Sequence, residues 1–455
     1  CAREPKRRTK KFGSHVRGAR SQAHTITRAY WQASVSYGDK THGRERQRMN
    51  IPKDRQITSK EEALRAIVRE ISIPQSYDKK ARDRYHSIGD WLDRPESKVR
   101  ALKPKISAQG SFALGTVIRP IGDNDAYDVD VVCELENGDH NQMSQAELKS
   151  LVGFEIRAYA TKYHMNQKPQ DGRRCWTMEY ADEADFHMDI LPSIPGTNSY
   201  VASLVSAGYN LDGVRSYTDT AISITDKKHD GYHTRGSEWL VSNPKGYLRW
   251  FRLRQRQILE QKRMQMMASG QVIASVEHFP NHKVQTPLQD AIKLLKRHRD
   301  VMFDGDDHKP ISIIIATLAA TSYNGELTIS DTLRNILPKM QRTVEELGPV
   351  PVISNPSYPA ENFADKWQEK PIKRQNFERW IGKARQDILA YLAGSRFDAI
   401  PPAFRDSMTN ETISKVAPMM ALTAAAVATS AAVAAEEAAA VHSSGNQTKP
   451  WYPGE

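Results

Sequence analysis

The chain has 455 residues, of which 39% are hydrophobic, enough to build two packed lobes with a core in each. Its formal net charge is +11, yet thirteen lysines and arginines against three acidic residues fall in the first fifty positions, so that stretch carries +10 and the rest is nearly neutral. A neutral body argues against stable binding of duplex DNA, and three cysteines with no Cys-x-x-Cys spacing exclude a disulfide scaffold and a zinc ribbon.

Residues 1–50 lack apolar periodicity and are expected to be disordered, or an extension foreign to the native chain with Met49 as its start; a basic arm for nucleic acid is the alternative reading. No apolar h-region of a secretory signal occurs there, so a cytoplasmic location is expected. Ser59-Lys60-Glu61-Glu62 reads as a capping box, opening a helix with Ala63, Ile67 and Ile71 on one face. Helix continues near Asp78–Leu92. Strands are expected around Ala108–Ile118, Tyr127–Leu135, Cys175–Tyr180 and Asp185–Leu191, with a helix at Gln145–Tyr163 between the second and third. That order describes an α+β lobe, a mixed sheet with helical support, over residues 51–242.

From Asn243 the chain turns mainly helical, giving a second lobe over 243–395. Thr286-Pro287-Leu288-Gln289 combines a capping box with proline at the first helical position, and Leu288, Ala291, Ile292 and Leu295 form the buried stripe of the helix it opens. Counting from Leu288, Lys296 lies at about 80° and Lys293 at about 140°, so Lys296 is expected to border the packed face and Lys293 to look outward. An apolar helix follows at Ile311–Ala320.

Chemistry is concentrated in Gln109-Gly110-Ser111-Phe112-Ala113-Leu114-Gly115-Thr116, Tyr127-Asp128-Val129-Asp130-Val131-Val132 and Phe186-His187-Met188-Asp189-Ile190-Leu191-Pro192. Alternation along a strand puts Asp128 and Asp130 on one face, with Tyr127, Val129 and Val131 turned into the core. Asp189 sits in a second apolar run, where a half-buried charge is costly without a cation beside it. Three carboxylates from adjacent strands can bridge two Mg²⁺ ions about 3.5–4 Å apart, with Mn²⁺ as a substitute, and activate a hydroxyl for nucleotidyl transfer. Gly110 lets the backbone approach a triphosphate, and the Ser111 hydroxyl can donate to it. No Gly-x-x-x-x-Gly-Lys-Ser/Thr loop is present, so the triphosphate is not held as in P-loop enzymes.

The pattern Gly-Ser-x-x-x-Gly-Thr, Asp-Val-Asp-Val-Val and Phe-His-Met-Asp-Ile-Leu-Pro resembles the bacterial cGAS/DncV-like nucleotidyltransferases, the oligonucleotide cyclases of anti-phage (CBASS) signalling. Further similarity lies in Arg173-Arg174-Cys175-Trp176-Thr177, Ser242-Asn243-Pro244-Lys245-Gly246-Tyr247, and Leu294-Leu295-Lys296-Arg297-His298-Arg299-Asp300 leading to Pro310-Ile311-Ser312. It covers about residues 50–395, and the sixteen residues between Ser111 and Asp128 fit the cyclases better than minimal members of the polymerase-β superfamily. The resemblance implies a polymerase-β-like lobe and a helical lobe with the active site in the cleft between them. It implies template-independent joining of nucleoside triphosphates, ATP first among them, into a cyclic di- or trinucleotide with release of pyrophosphate. Asp128 and Asp130 would hold both metals, and Asp189 the metal of the attacking hydroxyl. Gly110, Ser111, Lys296 and Ser312 would position the donor triphosphate. A synthetase of linear oligonucleotides or RNA tails, and an inactive fold serving as a binding module, are the alternatives.

His187 shares the face of Asp189 and reads as a structural partner of a carboxylate. Arg173, Arg174 and Trp176 either grip a phosphate and a base or begin a strand with a cation over the ring, and Tyr232 and Tyr247 are open candidates for stacking. Residues 396–455 read as a low-complexity, Ala-rich tail; Val416 to Ala435 is uncharged but too poor in large apolar residues for a membrane anchor. Trp451 and Tyr452 near the end suit a peptide docked by a regulatory protein, or disorder.

Overall fold

The computed structural model describes residues 59–121, 126–180, 186–268 and 284–394, together with Phe404. The expectations for the basic segment and for the Ala-rich tail beyond Phe404 lie outside these residues. Among the described residues no helix is long and apolar enough to cross a membrane.

The first lobe is built on a mixed sheet. Strand β1 (Pro104–Ala108) pairs antiparallel with β2 (Tyr127–Leu135), β2 runs parallel to β5 (Phe186–Pro195), and β5 pairs antiparallel with β4 (Trp176–Tyr180), which carries the short β3 (Gln170–Asp171). Strands β6 (Ile222–Ile224) and β7 (Leu240–Ser242) extend it from the far end of β5. One face packs on helix α2 (Gln75–Asp93) and helix α4 (Gln145–Lys162), whose apolar residues join Val129, Val131, Met188 and Ile190 in one core. Helix α4 starts at a reciprocal capping box between Ser144 and Glu147, which satisfies two backbone donors at its N-terminus.

One expected strand is a helix. Between β1 and β2 the chain forms a five-residue helix α3 (Gly110–Leu114) where a strand over Ala108–Ile118 is expected. Gly110 has φ +61°, which ends β1 and turns the chain, and Gly115 at φ +71° closes the helix with its N–H on Phe112 O. Phe112, Ala113 and Leu114 are all buried in succession, so the apolar run is packed on every side and has no period for a strand reading to use.

The second core gathers around helix α8 (Pro287–Met302), flanked by α9 (Ser312–Ser322), α10 (Ile329–Glu345) and α12 (Pro371–Ala393). Thr286 caps α8 through its reciprocal capping box with Gln289, and Pro287 occupies the first turn, as the sequence indicates. Helix α1 (Lys60–Ile71), capped by Ser59, buries Leu64, Ile67 and Ile71 in this helical core and not against the sheet. Phe404 also belongs to this core, with its ring 6.1 Å from that of His298. A small hairpin, β8 (Ser354–Asn355) with β9 (Tyr358–Asn362), interrupts the helices.

The lobes are stitched along α8. Three of its side chains donate to backbone carbonyls at the end of α3 and in the segment after it: Gln289 to Leu114, Lys296 to Thr116 and Arg297 to Arg119. On the opposite side the Arg119 amide bonds to Ile71 O, and Ser72 bridges to Ile118.

Candidate active site

The alternation of β2 and β5 sets out the carboxylates. Tyr127, Val129 and Val131 are buried while Asp128 and Asp130 face the other way, and β5 repeats the pattern with Phe186, Met188 and Ile190 inside and His187 and Asp189 outside. The parallel register places Asp128 beside His187 and Asp130 beside Asp189. Neighbouring residues in parallel strands share a face, so the three aspartates lie together on one open face of the sheet. Further along both strands the same face is covered by Ile222 and Ile224 packing on Val132 and Leu191, so only the first half of each strand opens to a cleft.

That cleft is an open cavity of about 670 Å³, and it joins residues from both lobes: Gly110, Ser111, Asp128, Asp130 and His187 from the first, Lys296, Arg299, Lys309 and Ser312 from the second. Six of the seven predicted site residues are thus brought together, and Asp189 adjoins the cavity through its register with Asp130. Gly110 is required by close approach, since a Cβ there would lie 2.2 Å from Asp130 Oδ2. The Ser111 hydroxyl has no hydrogen-bond partner among the described residues.

The electrostatics are those of crowded carboxylates. Loss of hydration, then the charges of Asp189 and Asp128, push the Asp130 carboxyl up to about 6. Asp128 is raised as well, first by desolvation under the cleft walls, with His187 opposing the shift, although 81% of its side chain is exposed. The Asp130 carboxylate accepts no hydrogen bond from the described residues, although the Asp130 carbonyl accepts from the Gln109 amide at 2.9 Å. Asp189 Oδ1 accepts one from Thr177 Oγ1 at 2.5 Å, directly across β4 and β5. His187 Nδ1 stands 3.7 Å from Asp128 Oδ1, beyond hydrogen-bond reach.

Among the described residues no three carboxylate, imidazole or thiol side chains converge closely enough to enclose a metal ion, so the aspartates form an open row and not a closed cage. Their chemistry nevertheless fits a divalent cation: adjacent acceptor-only groups, partly desolvated, with repulsion among them that a cation relieves. In metal-free protein this repulsion costs stability. Asp130 binds its proton more tightly in the folded state, about 6 against 3.8, so stability should fall by about 3 kcal/mol as pH rises from 4 to 6 and stay low above that. Chemical denaturation in the presence of a chelator should show this slope in the native protein and its loss in Asp130→Asn, which should also melt higher at pH 7.5; equal slopes in both would contradict the assignment.

Lys296 and Lys293 correct the helical-wheel expectation. Lys296 does border the cleft, but Lys293 does not look outward: the two residues are 6% and 4% exposed. Helix α8 is surrounded by other helices and has no solvent face, so Lys293 is satisfied internally by Ser72, Gln285 and, at 3.7 Å, Asp290. Lys296 donates to Thr116 O at 2.8 Å, and burial, followed by the Arg299 charge, lowers its ammonium to about 7. Ser312 is the first residue of α9, and its hydroxyl accepts from Arg299 Nη1.

The remaining candidates resolve as structure. Arg173 and Arg174 both pair with the buried Asp226, and the cations over Trp176 are Arg157 and Lys149, not the two expected arginines. Tyr247 is buried with its hydroxyl paired to Thr317, so it offers no stacking face. Tyr232 is partly buried in the loop after β6, against His233. The site also holds groups that sequence reasoning missed. Arg299 reaches the cleft because it lies three residues after Lys296 on α8, a spacing the sequence offered, and Lys309 because the loop after α8 leads back to Ser312.

Residues 104–192 match the family model for the nucleotidyltransferase domain of DncV-like cyclic GMP-AMP synthases. A c-di-GMP synthase of Roseivirga ehrenbergii is 29% identical over 306 residues, covering 67% of this chain and 72% of that relative. The cyclic dinucleotide synthase CdnG of Bradyrhizobium diazoefficiens is 24% identical over 324 residues, or 68% and 71% of the two chains. A structure of the Bradyrhizobium CdnG in complex with GTP superposes with a TM-score of 0.54 at 20% identity, over 76% of this chain and 98% of that one, and shares the fold. With the paired aspartate strands and the Gly-Ser turn facing one cleft, the chain is similar to these cyclic dinucleotide synthases, and its residues 104–192 match the DncV-like nucleotidyltransferase domain.

Proposed function

We propose that the protein condenses nucleoside triphosphates into a cyclic dinucleotide, releasing pyrophosphate at each step, as a second messenger of anti-phage defence. The observation that carries this reading is the single cavity that joins Gly110, Ser111, Asp128 and Asp130 of one lobe to Lys296 and Ser312 of the other. The names of the relatives favour two-nucleotide rings over three, and put GTP beside ATP as substrate.

Asp128 and Asp130 would hold two Mg²⁺ ions, which when bound polarise the attacking hydroxyl and offset charge on the leaving pyrophosphate. Asp189, oriented through Oδ1 by Thr177, has its other carboxylate oxygen free to share a metal and to accept the proton of the attacking hydroxyl. The Gly110 backbone lies against Asp130, and Ser111 beside it offers its hydroxyl to a phosphate oxygen. Lys296 and Arg299 hold the walls: one fixes the Thr116 carbonyl and the other the Pro310 carbonyl and the Ser312 hydroxyl. The walls keep both lobes in register around the triphosphate.

Incubation with labelled ATP and GTP, singly and together, followed by phosphatase and mass spectrometry, tests the reading. A phosphatase-resistant cyclic dinucleotide is expected. Linear, phosphatase-sensitive chains alone would replace the cyclase by an oligonucleotide synthetase, and no nucleotide incorporation would overturn it.

A further inference from the structure

Four cations line the cleft, and their surroundings distinguish them. Arg119 is drawn toward Glu70, with its Nη1 3.6 Å from that carboxylate. Lys296 is buried and bonded to Thr116 O. Arg299 is committed three times over, to Asp300, to Pro310 O and to Ser312 Oγ. Lys309 differs from all three. Its side chain is 51% exposed, its ammonium makes no hydrogen bond among the described residues, and the nearest carboxylate oxygen, Asp300 Oδ1, is 4.0 Å away.

The backbone on each side of Lys309 is nevertheless fixed. The His308 amide donates to Asp306 Oδ1 at 2.7 Å, the His308 carbonyl accepts from Asn376 at 3.2 Å, and the Pro310 carbonyl accepts from Arg299 at 2.9 Å. A flexible cationic head is therefore carried on an anchored stem at the mouth of the cleft. Its charge acts on Asp128, across the cleft, ahead of that of Lys296. An ammonium with spare donors facing a row of carboxylates, with room for a ligand between, suits an anion that spans the gap.

Resting on the nucleotidyltransferase reading, we propose that Lys309 is a substrate-contacting cation of this cleft and grips the triphosphate of the bound nucleotide whatever its base. Lys296 and Arg299 then act mainly by holding the walls against which the triphosphate is pressed.

The probe is inorganic tripolyphosphate, titrated by calorimetry into full-length protein with Mg²⁺ present, alongside initial rates against GTP and ATP. Loss of one charge-assisted contact corresponds to about a tenfold change in affinity. Lys309→Ala should weaken tripolyphosphate binding by about that factor and raise KM for either nucleotide similarly, with kcat within about threefold of the native value. Lys309→Arg should recover most of the binding. Lys79→Ala, which removes the same charge from an exposed position on α2, should bind like the native protein. Native-like affinity in Lys309→Ala, or an equal loss in Lys79→Ala, would overturn the assignment while leaving nucleotide chemistry in place. Native protein that binds no tripolyphosphate and joins no nucleotides would overturn the nucleotidyltransferase reading, and this inference with it.

Discussion

Replacing Asp128 and Asp130 together with asparagine should reduce product formation by at least about a thousandfold while leaving a folded protein. Both side chains face the cleft and neither packs in a core, so their charge can be removed without disturbing the buried residues of β2. Asparagine keeps the shape and removes the anions that would hold the metals. The measurement is product yield after overnight incubation, with thermal unfolding as the control. Activity within a few-fold of native in a cooperatively folding double variant would exclude these aspartates as the metal-holding pair.

The second large effect separates two lysines three residues apart. Lys293→Ala should leave turnover per folded molecule unchanged but destabilise the protein by about 2–3 kcal/mol, because it strands the carboxylate of Asp290 inside the helical core. Lys296→Ala should also lose its bond to Thr116 O, and its larger signature is kinetic: a KM for nucleotide raised about tenfold or more as the segment beside the cleft loses its tether. Denaturant midpoints and rate against nucleotide concentration, taken on both variants, check this. Indistinguishable profiles would mean that the Thr116 tether does not shape the cleft.

Much of the fold was legible because the signals were local. Period-two alternation located β2 and the start of β5 within a residue, though β5 runs on to Pro195, and the caps at Ser59 and Thr286 begin helices where side chains can satisfy free amides. The failures have the opposite cause. Helix α3 follows from the φ of Gly110 and from burial of three successive residues, neither of which a pattern of apolar letters reveals. Lys293 was misplaced because a helical wheel assumes one wet face, and α8 has none. Lys309 and Thr177 enter the site only through the loop after α8 and an antiparallel register, relations between segments that no single stretch encodes.

The stitching of α8 to Leu114, Thr116 and Arg119 bears on traffic through the enzyme. A cleft tied along its floor at three points does not exchange its contents by swinging apart like a jaw, since each opening would break all three bonds and uncover the buried donors behind them. Nucleotides must come and go through the mouth beside Asp128 and Lys309. On the nucleotidyltransferase reading, the width of that mouth, and not a hinge between lobes, then governs exchange.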